Sequence, residues 1–278
     1  MKSRPSVRPE SEDEQPRLAV LIDADNAQPA VIEGLLAEVA KYGVASVKRI
    51  YGDFTSTRMT QWKQALLKHS INPVQQFAYT SGKNATDSSL IIDAMDLMYT
   101  GRFDGVCLVS SDSDFTRLAQ RLREEGLTVY GFGERKTPDA FVQACDKFIY
   151  VEVLRSEASA PATPTSPPKP AKKEAARPAA KKPAGQAEPT AAPAAESGRH
   201  ESLPLKLIRQ AIEEASDDQG WDFVGSVGSY LSKVRPDFDT RLYGHKKLSD
   251  LMKAHPRHFT VEERAGEGGA KRFYVRAA

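Results

Sequence analysis

The chain has 278 residues and a formal net charge of +2, enough for one substantial domain and a smaller one. A charge this close to zero does not by itself point to nucleic acid, and two cysteines give neither a disulfide framework nor a zinc-ligand spacing. No apolar stretch approaches the ~18 residues of a membrane helix. Cys107 and Cys145 both sit in apolar patterns, as small core hydrophobes that fit a reducing cytoplasm.

In chain order, residues 1–16 carry charges and three prolines but no apolar segment, and are expected to be a disordered tail rather than a signal peptide. Arg17–Asp23 (RLAVLID) reads as a buried strand. From Pro29 to Gly43, Ile32, Leu35, Leu36, Val39 and Ala40 fall at helical spacing, and Gly43 ends the pattern. Strands follow at Ser46–Tyr51, Pro73–Phe77, Gly105–Ser110, Leu127–Phe132 and Phe148–Val153, and helices at Met59–His69, Thr86–Tyr99, Phe115–Glu125 and Pro138–Cys145. Alternating strands and helices predict a doubly wound, mainly parallel α/β sheet covered on both faces, over residues 17–154.

From about 158 to 196 the sequence is almost only Ala, Pro, Lys, Thr, Ser and Glu, with nine of the 18 prolines and no aromatic, Ile, Leu, Val or Met. Such a segment cannot offset the entropy of ordering, so residues 155–200 are expected to be a disordered linker. Beyond it, Leu203–Ala215, Val224–Val234 and His245–His255 read as helices, and Phe259–Arg264 and Arg272–Arg276 as strands around a Gly-rich turn. Three helices and a hairpin predict a small winged-helix domain over 201–278.

The chemistry lies in where the carboxylates fall. Asp23 ends the first strand, Asp112 and Asp114 follow the strand at Gly105–Ser110, and Asp87 opens the helix after the third strand. In an open parallel sheet, ligands bind beyond the carboxyl ends of the strands, where strand order reverses. The right-handed crossover rule favours neighbouring places for strands one and four, so Asp23 should face Asp112 and Asp114 with Asp87 nearby. Clustered hard oxygens suit Mg2+ or Mn2+, ions that lower the pKa of bound water and neutralise charge developing on a phosphodiester. Asp23 is the candidate bridge between two ions; Asp87 and Asp112 are further ligands, and Asp114 positions water or a second ion. Any one of these aspartates alone reads as a helix cap, as does Asn26; the set at one sheet edge reads as a metal site. Asp93 is open between supporting the site and an ordinary polar role. Lys83, Arg135 and Lys136 lie in the same loops, where they could hold phosphates, and Trp62 reads as core. The first domain has one histidine, His69, on a surface helix, which leaves histidine general-base chemistry without a candidate.

Three stretches together resemble the NYN domain, a branch of the PIN-like nuclease superfamily: Leu21-Ile22-Asp23-Ala24-Asp25-Asn26, Lys83-Asn84-Ala85-Thr86-Asp87, and Val109-Ser110-Ser111-Asp112-Ser113-Asp114-Phe115. The resemblance implies hydrolysis of RNA phosphodiesters to 5′-phosphate products at an Mg2+ or Mn2+ site held by Asp23, Asp87, Asp112 and Asp114, with Asn26 shaping it. Ala85 departs from the glycine the family often has there. Gly220-Trp221, Tyr230-Leu231, Pro236-Asp237-Phe238-Asp239, Tyr243-Gly244-His245-Lys246-Lys247-Leu248 and Phe273-Tyr274-Val275 resemble an OST-HTH (LOTUS) domain, which implies RNA capture. Lys246 and Lys247, with Lys233, Arg235, Arg241, Lys253, Arg257, Lys271 and Arg272, supply a candidate basic face. The linker would then raise the local concentration of captured RNA at the nuclease.

Other readings stay open from sequence alone. Asp23-Ala24-Asp25 after a strand resembles a haloacid-dehalogenase-type phosphatase, although that motif usually has Thr or Val where Ala27 stands. A non-catalytic RNA-binding or regulatory protein with a degenerate PIN-like site is the main alternative. Beside RNA capture, the favoured reading, the C-terminal domain has alternatives in binding DNA, a protein partner or a second copy of the chain. No membrane role is expected.

Overall fold

The computed structural model describes residues 15–77, 85–158, 203–216, 220–265 and 271–278. Most of the expected tail, Lys83, and the expected linker from residue 159 onward lie outside the described residues.

Six strands, β1 (Arg17–Asp23), β2 (Val44–Gly52), β3 (Asn72–Gln75), β4 (Gly105–Val109), β5 (Thr128–Gly133) and β6 (Lys147–Tyr150), form one parallel sheet in the order β3-β2-β1-β4-β5-β6. Between and after them come α1 (Ile32–Val39), α2 (Trp62–His69), α3 (Ala85–Tyr99), α4 (Thr116–Glu124), α5 (Asp139–Ala144) and α6 (Val151–Ala158). Side chains alternate across a strand, and β1 and β4 show it. Val20, Ile22, Cys107 and Val109 join the core under α1, α2 and α6, whereas Leu21, Val106 and Leu108 join the core under α3, α4 and α5. Both helical layers bury apolar faces, so the sheet is covered twice, as its unbroken apolar strands require.

Trp62, the first residue of α2, is core. The chain end of this unit differs from expectation. The run Phe148–Val153 is rich in β-branched and aromatic residues, yet only Lys147–Tyr150 is strand, and α6 begins at Val151. Val151, Val153 and Leu154 are buried, and Leu154 sits close enough to Gly34 of α1 that a Cβ there would lie 3.3 Å from it. Helix packing against α1 therefore overrides the strand propensity, and α6 takes in the first residues expected to be linker.

The C-terminal unit comprises α7 (Leu205–Ala215), β7 (Asp222–Phe223), α8 (Val224–Val234), a 3-10 turn (Thr240–Tyr243), α9 (Leu248–Lys253), β8 (Phe259–Ala265) and β9 (Lys271–Ala277), with its sheet in the order β7-β9-β8. Its core gathers Ile208 and Ile212 of α7, Val227 and Leu231 of α8, Met252 of α9, and Phe259 and Val275 of the hairpin. The helix expected at His245–His255 is shorter. Gly244 takes a left-handed φ of 81° to close the 3-10 turn, and Lys247 is extended, so α9 cannot start before Leu248.

The two units touch. The Arg241 guanidinium donates to both oxygens of Glu38 in α1, at 2.9 and 3.0 Å, and Glu38 also accepts from Lys41 and Tyr42. Burial pushes the Glu38 carboxyl up, but hydrogen bonds from Arg241 and Lys41 and the Arg241 charge outweigh it and bring it down to about 2. The Phe148 N–H, on the open side of edge strand β6, donates to the Pro236 carbonyl at 2.9 Å, and the Tyr150 hydroxyl donates to Asp237 at 3.1 Å. The C-terminal unit is thus held by specific contacts as well as by its covalent tether.

Candidate metal centre

The switch in strand order falls between β1 and β4, which are neighbours. Asp23 closes β1, and Ser110 follows β4 directly; there the chains separate and leave a crevice for ligands. Gly133, at the end of β5, lets the adjacent backbone come close, since a Cβ there would sit 2.6 Å from the Ser110 carbonyl oxygen.

Asp87, in the first turn of α3, meets Asp112 and Asp114 here. One carboxylate oxygen from each lies within 4.8 Å of the others. Asp112 does two things at once. It is the cap of the 3-10 turn Ser113–Phe115, accepting the Asp114 N–H at 2.9 Å, and it joins the cluster. The capping and metal readings of this residue are therefore compatible. No hydrogen bond to the carboxylate of Asp87 or Asp114 occurs among the described residues. Burial raises the Asp87 carboxyl, and the charges of Asp23, Asp112, Asp114 and Asp25 raise it further, to about 6.

Asp23 behaves differently. It is buried and lies outside the three-carboxylate group. Its Oδ2 accepts from Asn26 Nδ2 at 2.7 Å and from Ser110 Oγ at 2.8 Å, and its Oδ1 accepts the Asp25 N–H at 3.0 Å. Burial raises its pKa against these three hydrogen bonds. With two lone pairs on each oxygen, this arrangement leaves an accepting position on Oδ1 and none on Oδ2. Asp23 therefore contributes charge and one ligand position here, whereas bridging through both oxygens would require one of these bonds to break. Asn26 buttresses Asp23.

Ser110 is a residue that sequence reasoning passed over, although it stands inside the quoted motif. Its hydroxyl donates to Asp23 and accepts the Asp112 N–H at 3.1 Å, so one side chain ties the β1 and β4 carboxylate loops together. Asp93 pairs with Arg49 at 2.7 Å and Tyr51 at 2.8 Å, so it serves the α3–β2 packing. Lys136 pairs with Glu134 at 2.8 Å, and Arg135 is exposed. Lys246 and Lys247, also exposed, precede α9 in the other unit.

The donor set fits a hard divalent cation. Three carboxylates are close enough to share one ion, all ligand atoms are oxygen, and the repulsion that adds to burial in lifting Asp87 is what a cation would relieve. A doubly wound sheet with such a cluster at its switch point defines an α/β domain with a candidate metal centre, followed here by a small winged-helix unit.

The family comparisons name both parts. The NYN domain model matches residues 17–153, and the OST-HTH/LOTUS domain model matches residues 202–269. The chain is an NYN-domain protein with a C-terminal OST-HTH/LOTUS domain, and with the carboxylate cluster in place it is an enzyme of nuclease type. A solution structure of an uncharacterised protein from Nitrosomonas europaea is 45% identical over 34% of this chain and 91% of that chain, with a TM-score of 0.27. A solution structure of part of a Chromobacterium violaceum protein is 33% identical over 28% of this chain and 84% of that chain, with a TM-score of 0.24. A crystal structure of a protein of unknown function from Vibrio parahaemolyticus is 21% identical over 50% of this chain and 94% of that chain, with a TM-score of 0.42. No curated protein matches the chain significantly. Among the described residues, no helix is long and apolar enough to cross a membrane.

Proposed function

We propose that the protein is a ribonuclease that hydrolyses RNA phosphodiester bonds with Mg2+ or Mn2+, and that its C-terminal domain captures the RNA. The observation that carries the proposal is the convergence of Asp87, Asp112 and Asp114 at the switch point, where burial and the neighbouring acidic charges raise Asp87. Asp87, Asp112 and Asp114 would hold the ion, with Asp23 adding negative charge and one further ligand position. A divalent cation bound there supplies positive charge to the scissile phosphate and acidifies water as nucleophile.

The chain's own residues do the positioning. Ser110 and Asn26 hold Asp23 in one orientation, and the Asp114 N–H holds Asp112 in another. Ligands fixed in this way lose little entropy when the ion and substrate arrive. Lys83, Arg135 and Lys136 are proposed to steer phosphate toward the crevice. The domains are proposed to divide at 155–200, with α6 completing the first. Buried free thiols at Cys107 and Cys145 support a reducing, cytoplasmic setting.

The test is cleavage of an end-labelled single-stranded RNA with Mn2+ by wild type and Asp112→Asn. Metal-dependent cleavage should fall at least about a hundredfold in the variant, because a ligand should matter no less than the groups that orient ligands. If both proteins bind RNA and neither cuts it, the enzyme reading fails and the binding-protein reading replaces it.

A further inference from the structure

The basic residues of the C-terminal domain fall into two sets. Arg235 and Arg241, expected on an RNA-binding face, are engaged by carboxylates: Arg235 by Asp237, and Arg241 by Asp239 and Glu38. The hairpin sheet offers the other set. On β9, Arg272, Tyr274 and Arg276 alternate with Phe273 and Val275, which pack on the core. The period of two therefore sends the first three to the opposite face. Register places Arg264 of β8 across from Arg272, and Phe223 of β7 across from Tyr274.

The face is already organised for stacking. The Arg264 guanidinium lies 4.8 Å from the Trp221 ring centroid and 4.7 Å from that of Tyr274, and the Arg276 guanidinium lies 5.0 Å from Trp221. Phe223 and Tyr274 sit 6.0 Å apart, and Phe223 is 41% exposed. Among the described residues, Glu262 shares the face and pairs with Arg264 at 3.2 Å, against the three guanidiniums of Arg264, Arg272 and Arg276.

We propose that this outer face of the β7-β9-β8 sheet is a binding site for single-stranded RNA, in which unpaired bases stack on Phe223, Tyr274 and the arginine planes while Arg272 and Arg276 meet phosphates. Deepening the ribonuclease reading, and resting on it, the site would present unpaired RNA to the chain that cuts it. Rings serve any base because every base has a π-face, and flat guanidiniums add both stacking and charge. A duplex would use the charges and leave the rings idle, since its bases are stacked on each other.

The experiment is fluorescence anisotropy of a labelled 12-nucleotide single-stranded RNA with the full chain, divalent metal chelated, across a salt series. Phe223→Ser/Tyr274→Ser should weaken binding about tenfold or more at fixed salt. Arg272→Gln, at an exposed position, should lower the steepness of the log affinity–log salt plot by about 0.7. Circular dichroism checks the fold of the ring variant, and Arg272→Gln keeps the test decisive should that variant unfold. Wild-type affinity and salt slope in both variants would overturn the platform, and more directly so if Lys246→Gln/Lys247→Gln carried the loss; a protein partner would then be the better occupant of the face. A wild-type chain that binds no RNA overturns instead the reading on which the platform rests.

Discussion

Two clusters of carboxylates in this molecule show opposite electrostatics. At the switch point, Asp87 meets Asp112 and Asp114, and burial together with the neighbouring acidic charges pushes Asp87 up to about 6. At the contact between the domains, Glu38 is buried more deeply still, but Arg241 and Lys41 surround it and bring it down to about 2. The same functional group is strained in one place and satisfied in the other. The difference lies in the neighbours: basic groups surround Glu38, whereas acidic charges gather around Asp87, the setting a cation would relieve. A structural ion pair closes its own account; a binding site is left open.

That contrast can be broken most forcefully at the satisfied cluster. Arg241→Ala leaves Glu38 buried with its main partner gone, a loss on the order of 3 kcal/mol for a buried pair. Urea unfolding should show it as a lower midpoint, and proteolysis within 159–200 should accelerate as the domains part. An unchanged midpoint would mean that the contact contributes little in solution.

The next effect is at the open cluster. Ser110→Ala removes the hydroxyl that joins Asp23 to the Asp112 loop, and should lower metal affinity or cleavage about tenfold, the scale of groups that orient ligands. Isothermal titration with Mn2+ reads it directly; an affinity equal to wild type would confine Ser110 to a folding role.

The smallest effect is the most diagnostic, because the two clusters respond to pH with opposite sign. Asp87 is raised above its ordinary value of 3.8, so its charged form costs the metal-free fold stability as pH rises through about 6. Thermal melting of metal-free Asp87→Asn should therefore exceed that of wild type above about pH 6 and converge with it near pH 4. Added Mn2+ should reverse the order. Glu38 is lowered from 4.5, so its stabilisation is complete above that value and drains away as pH falls toward 2. Subtracting Glu38→Gln from wild type across that range isolates it.

Much of this was legible in the sequence. Periodicity located the strands of the large sheet, and crossover handedness placed β1 beside β4, which brings the aspartates to one edge. What failed to show did so for physical reasons. Residues 148–153 carry strand-like side chains, and the packing of α6 on α1, with Leu154 beside Gly34, makes their second half helical. The two-residue strand β7 is too short to have a period. The Glu38–Arg241 pair spans 203 positions, a separation at which no local pattern links two residues. Arg235 and Arg241 looked like RNA contacts for a different reason: their partners Asp237 and Asp239 lie only two positions away, but a count of positive charge does not reveal which charges are already paired.

The hydrogen bond from Phe148 to Pro236 has a consequence for how the enzyme keeps to itself. A terminal strand with bare amides invites another chain to lie alongside and extend the sheet. Here the companion domain occupies part of that margin and ends the row on a proline, which has no amide of its own to pass the pattern on. A version trimmed to its first 158 residues would uncover the margin, and its tendency to self-associate would rise even with the catalytic edge untouched.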